Sequence, residues 1–186
     1  MNLRGGVSSL SVGGARSGMQ VAIIGDSHVP QREAEIPEAF RERIAAADHV
    51  LHTGDFTSEA ALESVQDLAA DLTAVSGNMD PRLGLPETAT AELGGVTFVL
   101  THGTGSPEGW AERVAETARS RGGEDAVGVA GHTHRVEDTI HDDVRILNPG
   151  SVTGAVPAKR TSMYTATVAD GDLTVELHES SASIDS

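Results

Sequence analysis

The sequence predicts an α/β domain in which two β-sheets stack with helices outside. Two observations carry that prediction. From Met19 to Ala130 short apolar runs alternate with helical patterns, and from Val136 onward the pattern changes to paired strands joined by tight turns. The length, 186 residues, suits one domain with a sizeable core. No internal repeat or interdomain linker interrupts it.

The elements follow in order. Val21-Ala22-Ile23-Ile24 reads as a buried strand ending at Gly25. Ile36, Phe40 and Ile44 recur at four-residue spacing, which fits a helix over 37–47 that starts at Pro37. Val50 to His52 is a short strand. Ser58 is placed to cap a helix carrying Leu62, Val65 and Leu68, and Leu72 to Val75 returns as a strand. Val96 to Leu100 is another strand, and Ser106-Pro107 opens a helix with Trp110 and Val114 on one face. Ala126 to Ala130 completes this series, which favours largely parallel pairing.

Val136 to Ile140 and Val144 to Leu147 resemble antiparallel strands joined at His141-Asp142-Asp143. Met163 to Val168 and Leu173 to Leu177 alternate across Asp170-Gly171-Asp172, a strong hairpin signal. One sheet is therefore expected to be mixed and the other more antiparallel. Residues 1–18 are rich in Gly and Ser without periodicity. They read as a disordered extension, or as sequence ahead of a true start at Met19, and they lack the apolar region of a signal peptide. The folded domain is expected over 19–179, with 180–186 fraying.

Composition narrows the chemistry. No apolar run approaches the ~20 residues that cross a bilayer, so a soluble, cytoplasmic protein is expected. There is no cysteine, which excludes disulfides and thiolate sites and leaves His, Asp and Asn as metal ligands. Acidic residues number 28 against 13 basic ones, the net charge is -15, and Lys159 is the only lysine. That balance disfavours nucleic acid polymers and anionic membranes as partners. It also resembles the acid-rich, lysine-poor chains of halophiles, for which activity and folding measured from low to molar KCl is the test.

Five short phrases carry the chemistry: Gly25-Asp26-Ser27-His28, Gly54-Asp55, Gly77-Asn78, His102-Gly103 and Gly131-His132-Thr133-His134. Each follows an apolar strand, so their side chains are placed to converge on one carboxyl edge of the sheets. Asp26 and His28 are two residues apart, as are His132 and His134, a spacing that aligns side chains in an extended segment. The Gly-rich phrases lack a Gly-Lys-Ser/Thr ending and are not a nucleotide P-loop.

In that order the phrases resemble the calcineurin-like metallophosphoesterases. The compact length, Gly77-Asn78-Met79-Asp80 and Asn148-Pro149-Gly150-Ser151 are similar to that superfamily's small bacterial and archaeal phosphodiesterases, over roughly residues 19 to 178. The resemblance implies a four-layer αββα sandwich of two mixed β-sheets. It puts Asp26, His28 and His134 on one divalent metal and Asn78, His102 and His132 on a second, with Asp55 bridging. Mn is expected first, with Ni, Fe or Zn as alternatives. The implied activity is hydrolysis of small phosphodiesters by in-line attack of a hydroxide bridging the two metals. Asp55, Asn78 and His102 would act through that hydroxide and the phosphate, and a homodimer is compatible with the family. Two divalent ions, two carboxylates and one hydroxide leave the centre about +1, a local sink for phosphate in an acidic protein.

One position departs from the pattern. Much of the superfamily has a histidine where Met79 stands, and a thioether cannot protonate a leaving oxygen. This favours a phosphodiesterase over a general phosphatase. Asp80 either orients His102 or another ligand, or is a turn residue before Pro81. His52 either orients Asp55 or His28 or packs in its strand. Ser151 lies in what is first of all a turn, and either touches substrate or supports a ligand.

His49, His141 and His178 read as surface or turn residues, Arg82 and Arg135 as solvated, and Trp110 and Phe98 as core. The alternatives to a phosphodiesterase are a scaffold of the same fold that acts by protein contacts, as a retromer subunit of this type does, or a nuclease or phosphomonoesterase of the superfamily.

Overall fold

A computed structural model describes residues 18–181. Its elements are β1 (Met19–Ile24), α1 (Glu38–Ala46), β2 (His49–His52), α2 (Glu59–Leu68), β3 (Leu72–Ala74), β4 (Thr88–Leu93), β5 (Val96–Thr101), α3 (Trp110–Gly122), β6 (Val127–Val129), β7 (Val136–His141), β8 (Val144–Pro149), β9 (Arg160–Ala169) and β10 (Asp172–Ser181). The expected disordered extension and frayed tail fall almost wholly outside the described residues, while Met19, the alternative start, is the first residue of β1. At the boundary, β10 continues through Ser180 and Ser181, which pair with Thr161 and Arg160.

Two five-stranded sheets form, ordered β10-β9-β1-β2-β3 and β4-β5-β6-β8-β7. Both are mixed. β1 and β2 pair parallel, as do β2 and β3, β5 and β6, and β6 and β8. The other four pairings are antiparallel. The expectation that one sheet would be more antiparallel fails for a topological reason. The two hairpins of the last third part company: β7-β8 joins the second sheet, while β9-β10 crosses back to lie beside β1.

Strand alternation builds the layers. On β1, Val21 and Ile23 enter the core between the sheets with Leu51, Phe98, Leu100, Val129 and Leu147. Ala22 and Ile24 face the other way, onto a core with Phe40, Ile44, Leu62 and Val65 of α1 and α2. On the far side Val99 and Ile146 meet Trp110, Val114 and Ala118 of α3. The order is therefore helices, sheet, sheet, helix. Ser58 caps α2 by accepting the Ala61 N–H at 3.1 Å, as its sequence position suggests. α3 begins three residues after Pro107, with a turn from the Pro107 carbonyl to the Trp110 N–H.

β4 was not anticipated. Thr-Ala-Thr-Ala-Glu-Leu alternates, but its side chains are too short to signal a buried face; the Gly94-Gly95 turn folds it onto β5. Asn148 and Pro149 end β8 instead of forming the expected turn. Among the described residues no helix is long and apolar enough to cross a membrane.

Candidate metal centre

Asp26 follows β1, Asp55 follows β2, Asn78 follows β3, His102 follows β5, and His132 and His134 follow β6. Because β1, β2 and β3 run parallel, as do β5 and β6, each sheet delivers its side chains at one carboxyl edge. The loops themselves are not extended, contrary to the spacing-based expectation. Asp26, His28, His132 and His134 all have left-handed backbone, with φ of 49°, 47°, 74° and 57°, and Asp55 and Thr57 join them at 60° and 73°. Such residues cost about 1–3 kcal/mol each and persist only where their surroundings over-determine them. Here the surroundings are hydrogen bonds between loops: Asp26 N–H to the Gly54 carbonyl, His28 N–H to the Asp55 carbonyl, and His132 N–H to Asp26 Oδ2. Gly77 and Gly131 are required by this crowding, since a Cβ on either would collide with the Asp55 or the Asp26 carboxylate.

Asp26, His28, Asp55 and His134 form a buried cluster whose donor atoms lie within 4.8 Å of one another. His28 Nε2 is 3.1 Å from His134 Nε2 and 3.4 Å from Asp55 Oδ2, and His134 Nε2 is 3.5 Å from Asp26 Oδ1. On the other side of Asp55, His102 Nε2 lies 3.2 Å from the same Oδ2. His132 Nδ1 is 3.1 Å from Asn78 Oδ1, and the His102 and His132 rings meet edge to face. All seven side chains named from the sequence are thus gathered in one place, in two groups that meet at Asp55.

The hydrogen bonds fix the tautomers. His134 gives its Nδ1–H to the Ala155 carbonyl at 2.8 Å and turns a bare Nε2 inward, and His102 gives its own to the Thr53 carbonyl at 2.7 Å, so that its Nε2 faces inward and is bare once the imidazole is neutral. His132 gives Nε2–H to the Gly105 carbonyl at 2.9 Å, which leaves Nδ1 bare against Asn78 Oδ1, another acceptor. Asp26 Oδ1 and His102 Nε2 are buried without a hydrogen-bond partner. Acceptors facing acceptors in a closed site are repulsive unless a cation lies between them. Nitrogen donors about 2.0–2.1 Å from one ion, at right angles, stand about 3 Å apart. The centre fits divalent cations on both counts.

Without cations the groups strain one another's protonation. Burial pushes Asp26 up to about 7, with the Asp55 charge adding to it. Burial opposes a charge on His102, but Asp55 and Asp26 outweigh it and raise the imidazole to about 9. Burial would also raise Asp55; contact with His102 and the N–H of Met79 overcome that and lower it. Burial lowers His28 to about 4 and lowers His134 as well. Two carboxylates in one pocket are thereby driven apart.

The surrounding residues settle into definite roles. Asp80 does not orient His102. Its Oδ2 accepts the N–H groups of Asp55 and Gly77, and its Oδ1 accepts that of Thr57. His52 is packed, stacked on Phe56 at 3.7 Å, and its Nδ1 also accepts the Gly54 N–H beside Asp55. Ser151 is fully buried and gives its hydroxyl to the Asp26 carbonyl at 2.7 Å. Met79 is 42% exposed at the rim.

Trp110 and Phe98 are core residues, and Trp110 also donates to the Gly131 carbonyl. His49 is buried against Thr73, which corrects its reading as a surface residue; Arg82 and Arg135 are exposed. Arg113 and the carbonyls of Thr53, Gly105 and Ala155 were not read from the sequence. Backbone carbonyls leave no mark in it, and Arg113 sits in the first turn of α3 beside Glu112, one of several charged residues on that helix.

Comparison with known proteins agrees with this architecture. A family model described as the calcineurin-like phosphoesterase superfamily domain matches residues 19–171. A probable metallophosphoesterase of Methanothermobacter thermautotrophicus is 34% identical over 137 residues, covering 73% of this chain and 78% of that one. A probable metallophosphoesterase of Methanocaldococcus jannaschii is 33% identical over 136 residues, 73% of this chain and 69% of its own. Among solved structures, wild-type Vps29 of Entamoeba histolytica complexed with zinc superposes with a TM-score of 0.60 at 28% identity, covering 87% of this chain and 99% of that one.

Proposed function

The chain belongs to the calcineurin-like phosphoesterase superfamily, and on that premise we propose that it is a dinuclear metal-dependent phosphodiesterase acting on small phosphodiesters. The observation that carries the reading is the position of Asp55, whose Oδ2 lies 3.4 Å from His28 Nε2 and 3.2 Å from His102 Nε2. A carboxylate shared by two groups of inward lone pairs suits a bridge between two ions. Asp26, His28 and His134 would hold one ion, and Asn78, His102 and His132 the other. Bound there, the ions supply Lewis acidity toward phosphoryl oxygens and lower the pKa of water.

The chain's own part is positional. Thr53, Ala155 and Gly105 carbonyls hold the imidazole tautomers, Asp80 holds the Asp55 loop, and Asp26 is a fully buried carboxyl group beside them. At the rim Met79 offers no proton, which suits diesters with stable leaving groups over alkyl monoesters. The scaffold reading, which likeness to Vps29 raises, is weakened by the retention of every ligand side chain.

Hydrolysis of bis-p-nitrophenyl phosphate with Mn or Ni added is the test. Turnover should require the metal, bound metal should approach two ions per chain, and Asp55→Ala and His132→Ala should each abolish turnover. A folded protein that turns over nothing with any divalent metal would end the enzyme reading.

A further inference from the structure

The loop that leads into Asp55 contains a residue that touches both halves of the centre. Thr53 is fully buried and directly follows β2. Its N–H donates to the Ile24 carbonyl of β1 at 3.0 Å, and its carbonyl accepts the His102 Nδ1–H from the end of β5 at 2.7 Å. The main chain of this one residue therefore joins the first sheet to a candidate ligand of the second. Its side chain joins them again. An ideal Cβ on Gly25 would come within 1.9 Å of Thr53 Oγ1, and one on Gly131 within 2.6 Å of that oxygen and of Asp26 Oδ2. Gly25 precedes Asp26 and Gly131 precedes His132. Gly131 is tied to the same network, since its N–H donates to the His102 carbonyl at 3.0 Å.

Thr53 Oγ1 is buried, and among the described residues it has no hydrogen-bond partner. A buried hydroxyl that forgoes its hydrogen bonds needs another reason to be there. Size supplies one. A Cβ stands about 1.5 Å from its Cα, so the Gly25 Cα is at most about 3.4 Å from Oγ1. Carbon atoms pack best at about 3.5–4.0 Å, so an oxygen fits this slot and a methyl group overfills it. We propose that Thr53 is a positioning residue of the centre: its Oγ1, wedged between Gly25 and Gly131, sets how far the Asp26 loop stands from the His132 loop, while its carbonyl aims His102. The proposal rests on the dinuclear reading and names the residue that ties one ion site to the other.

The test compares wild type with Thr53→Ser, Thr53→Val and Thr53→Ala. Val144→Ala, a core change at the start of β8 and so at the end remote from the ligand loops, controls for lost stability. At saturating Mn, wild type and Thr53→Ser should give the EPR spectrum of an exchange-coupled pair. Thr53→Val should lose that coupling and bind the second ion about tenfold or more weakly. Thr53→Ala, which removes the wedge without overfilling the slot, should also weaken the second ion. Val144→Ala should lower Tm and leave both metal readouts unchanged. Wild-type coupling and affinity in either Thr53→Val or Thr53→Ala would overturn the wedge.

A second arm needs no metal. In the metal-free protein Thr53→Val should shift the amide resonances of Asp26 and His132 and the His102 Nδ1–H, while Thr53→Ser leaves them in place. Thr53→Val should also melt below Thr53→Ala, because it overfills a slot that alanine only empties. Equal melting of those two would overturn the wedge and assign the hydroxyl to a hydrogen bond. Unshifted resonances in Thr53→Val would overturn it as well. A wild type that binds a single Mn, with these shifts present, would instead strike the dinuclear reading and leave the positioning role of Thr53 standing.

Discussion

Asp80→Ala removes a side chain that touches neither proposed ion, yet it should loosen the whole centre. The Asp80 carboxylate accepts three backbone N–H groups, from Asp55 at 2.9 Å, Gly77 at 2.8 Å and Thr57 at 2.7 Å. Two of these residues, Asp55 and Thr57, have left-handed backbone, with φ of 60° and 73°. Removing the carboxylate strands three donors in a partly buried site and withdraws what holds the strained turn. Stranding a donor costs about 1–3 kcal/mol, less where water can replace the acceptor, so the loss should total about 3–5 kcal/mol. For a chain of this size each kcal/mol moves Tm by about 2–4 °C, which predicts a fall of roughly 6–20 °C.

Asp80→Asn separates charge from geometry. Its carboxamide oxygen can keep the Asp55 and Gly77 bonds, while its NH2 would face the Thr57 N–H, so it should fall between wild type and Asp80→Ala. Thermal melting of the metal-free protein measures the first effect and Mn titration the second, with binding expected to weaken at least tenfold. A Tm within 2 °C of wild type together with unchanged Mn affinity in Asp80→Ala would refute the reasoning, because the clamp would then carry no strain.

Four further outcomes follow from the same centre. Met79→His should raise turnover of alkyl-leaving-group or monoester substrates relative to bis-p-nitrophenyl phosphate; unchanged relative rates would place position 79 away from the leaving oxygen. Ser151→Ala leaves the Asp26 carbonyl and the Ala155 N–H without their partner, so about 1–3 kcal/mol of stability should be lost on thermal melting, with activity reduced. The metal-free protein should also melt at lower temperature at pH 9 than at pH 6.5. Folding raises Asp26 to about 7 and His102 to about 9, so their protonated forms favour the native state and that stability is lost as pH rises through each value. His28, His134 and His52 are lowered by burial, so their contribution still rises a little as pH passes the ordinary histidine value of 6.5, which offsets only part of that loss. Metal loading at pH 8 should release about one proton from His102, read by calorimetry in buffers of different ionisation enthalpy, and His102→Gln should abolish that release.

Much of the candidate centre was legible in the chain because each candidate ligand sits in a local phrase. An apolar run ending in Gly-Asp or Gly-Asn, or in a His beside Gly, states both the strand and the residue at its carboxyl end, within five or six positions. Strand alternation on β1 and the helix faces of Phe40, Ile44, Leu62 and Val65 were legible for the same reason. β4 was not, since alternating Thr and Ala carry too little apolar contrast to mark a face.

The sequence by itself determined the candidate ligand types, the order in which they arrive and the family they indicate. Only the tertiary structure decided that the two C-terminal hairpins divide between sheets, that the ligand loops are left-handed instead of extended, that Asp80 serves the Asp55 loop and not His102, and that Thr53 stands between Gly25 and Gly131. Those decisions join residues far apart in sequence, such as His132 with Asp26 and Ser151 with Asp26. Periodicity and propensity act over a few residues, whereas an acceptor for a strained loop is supplied by whichever distant segment the packing of two sheets brings within hydrogen-bond reach.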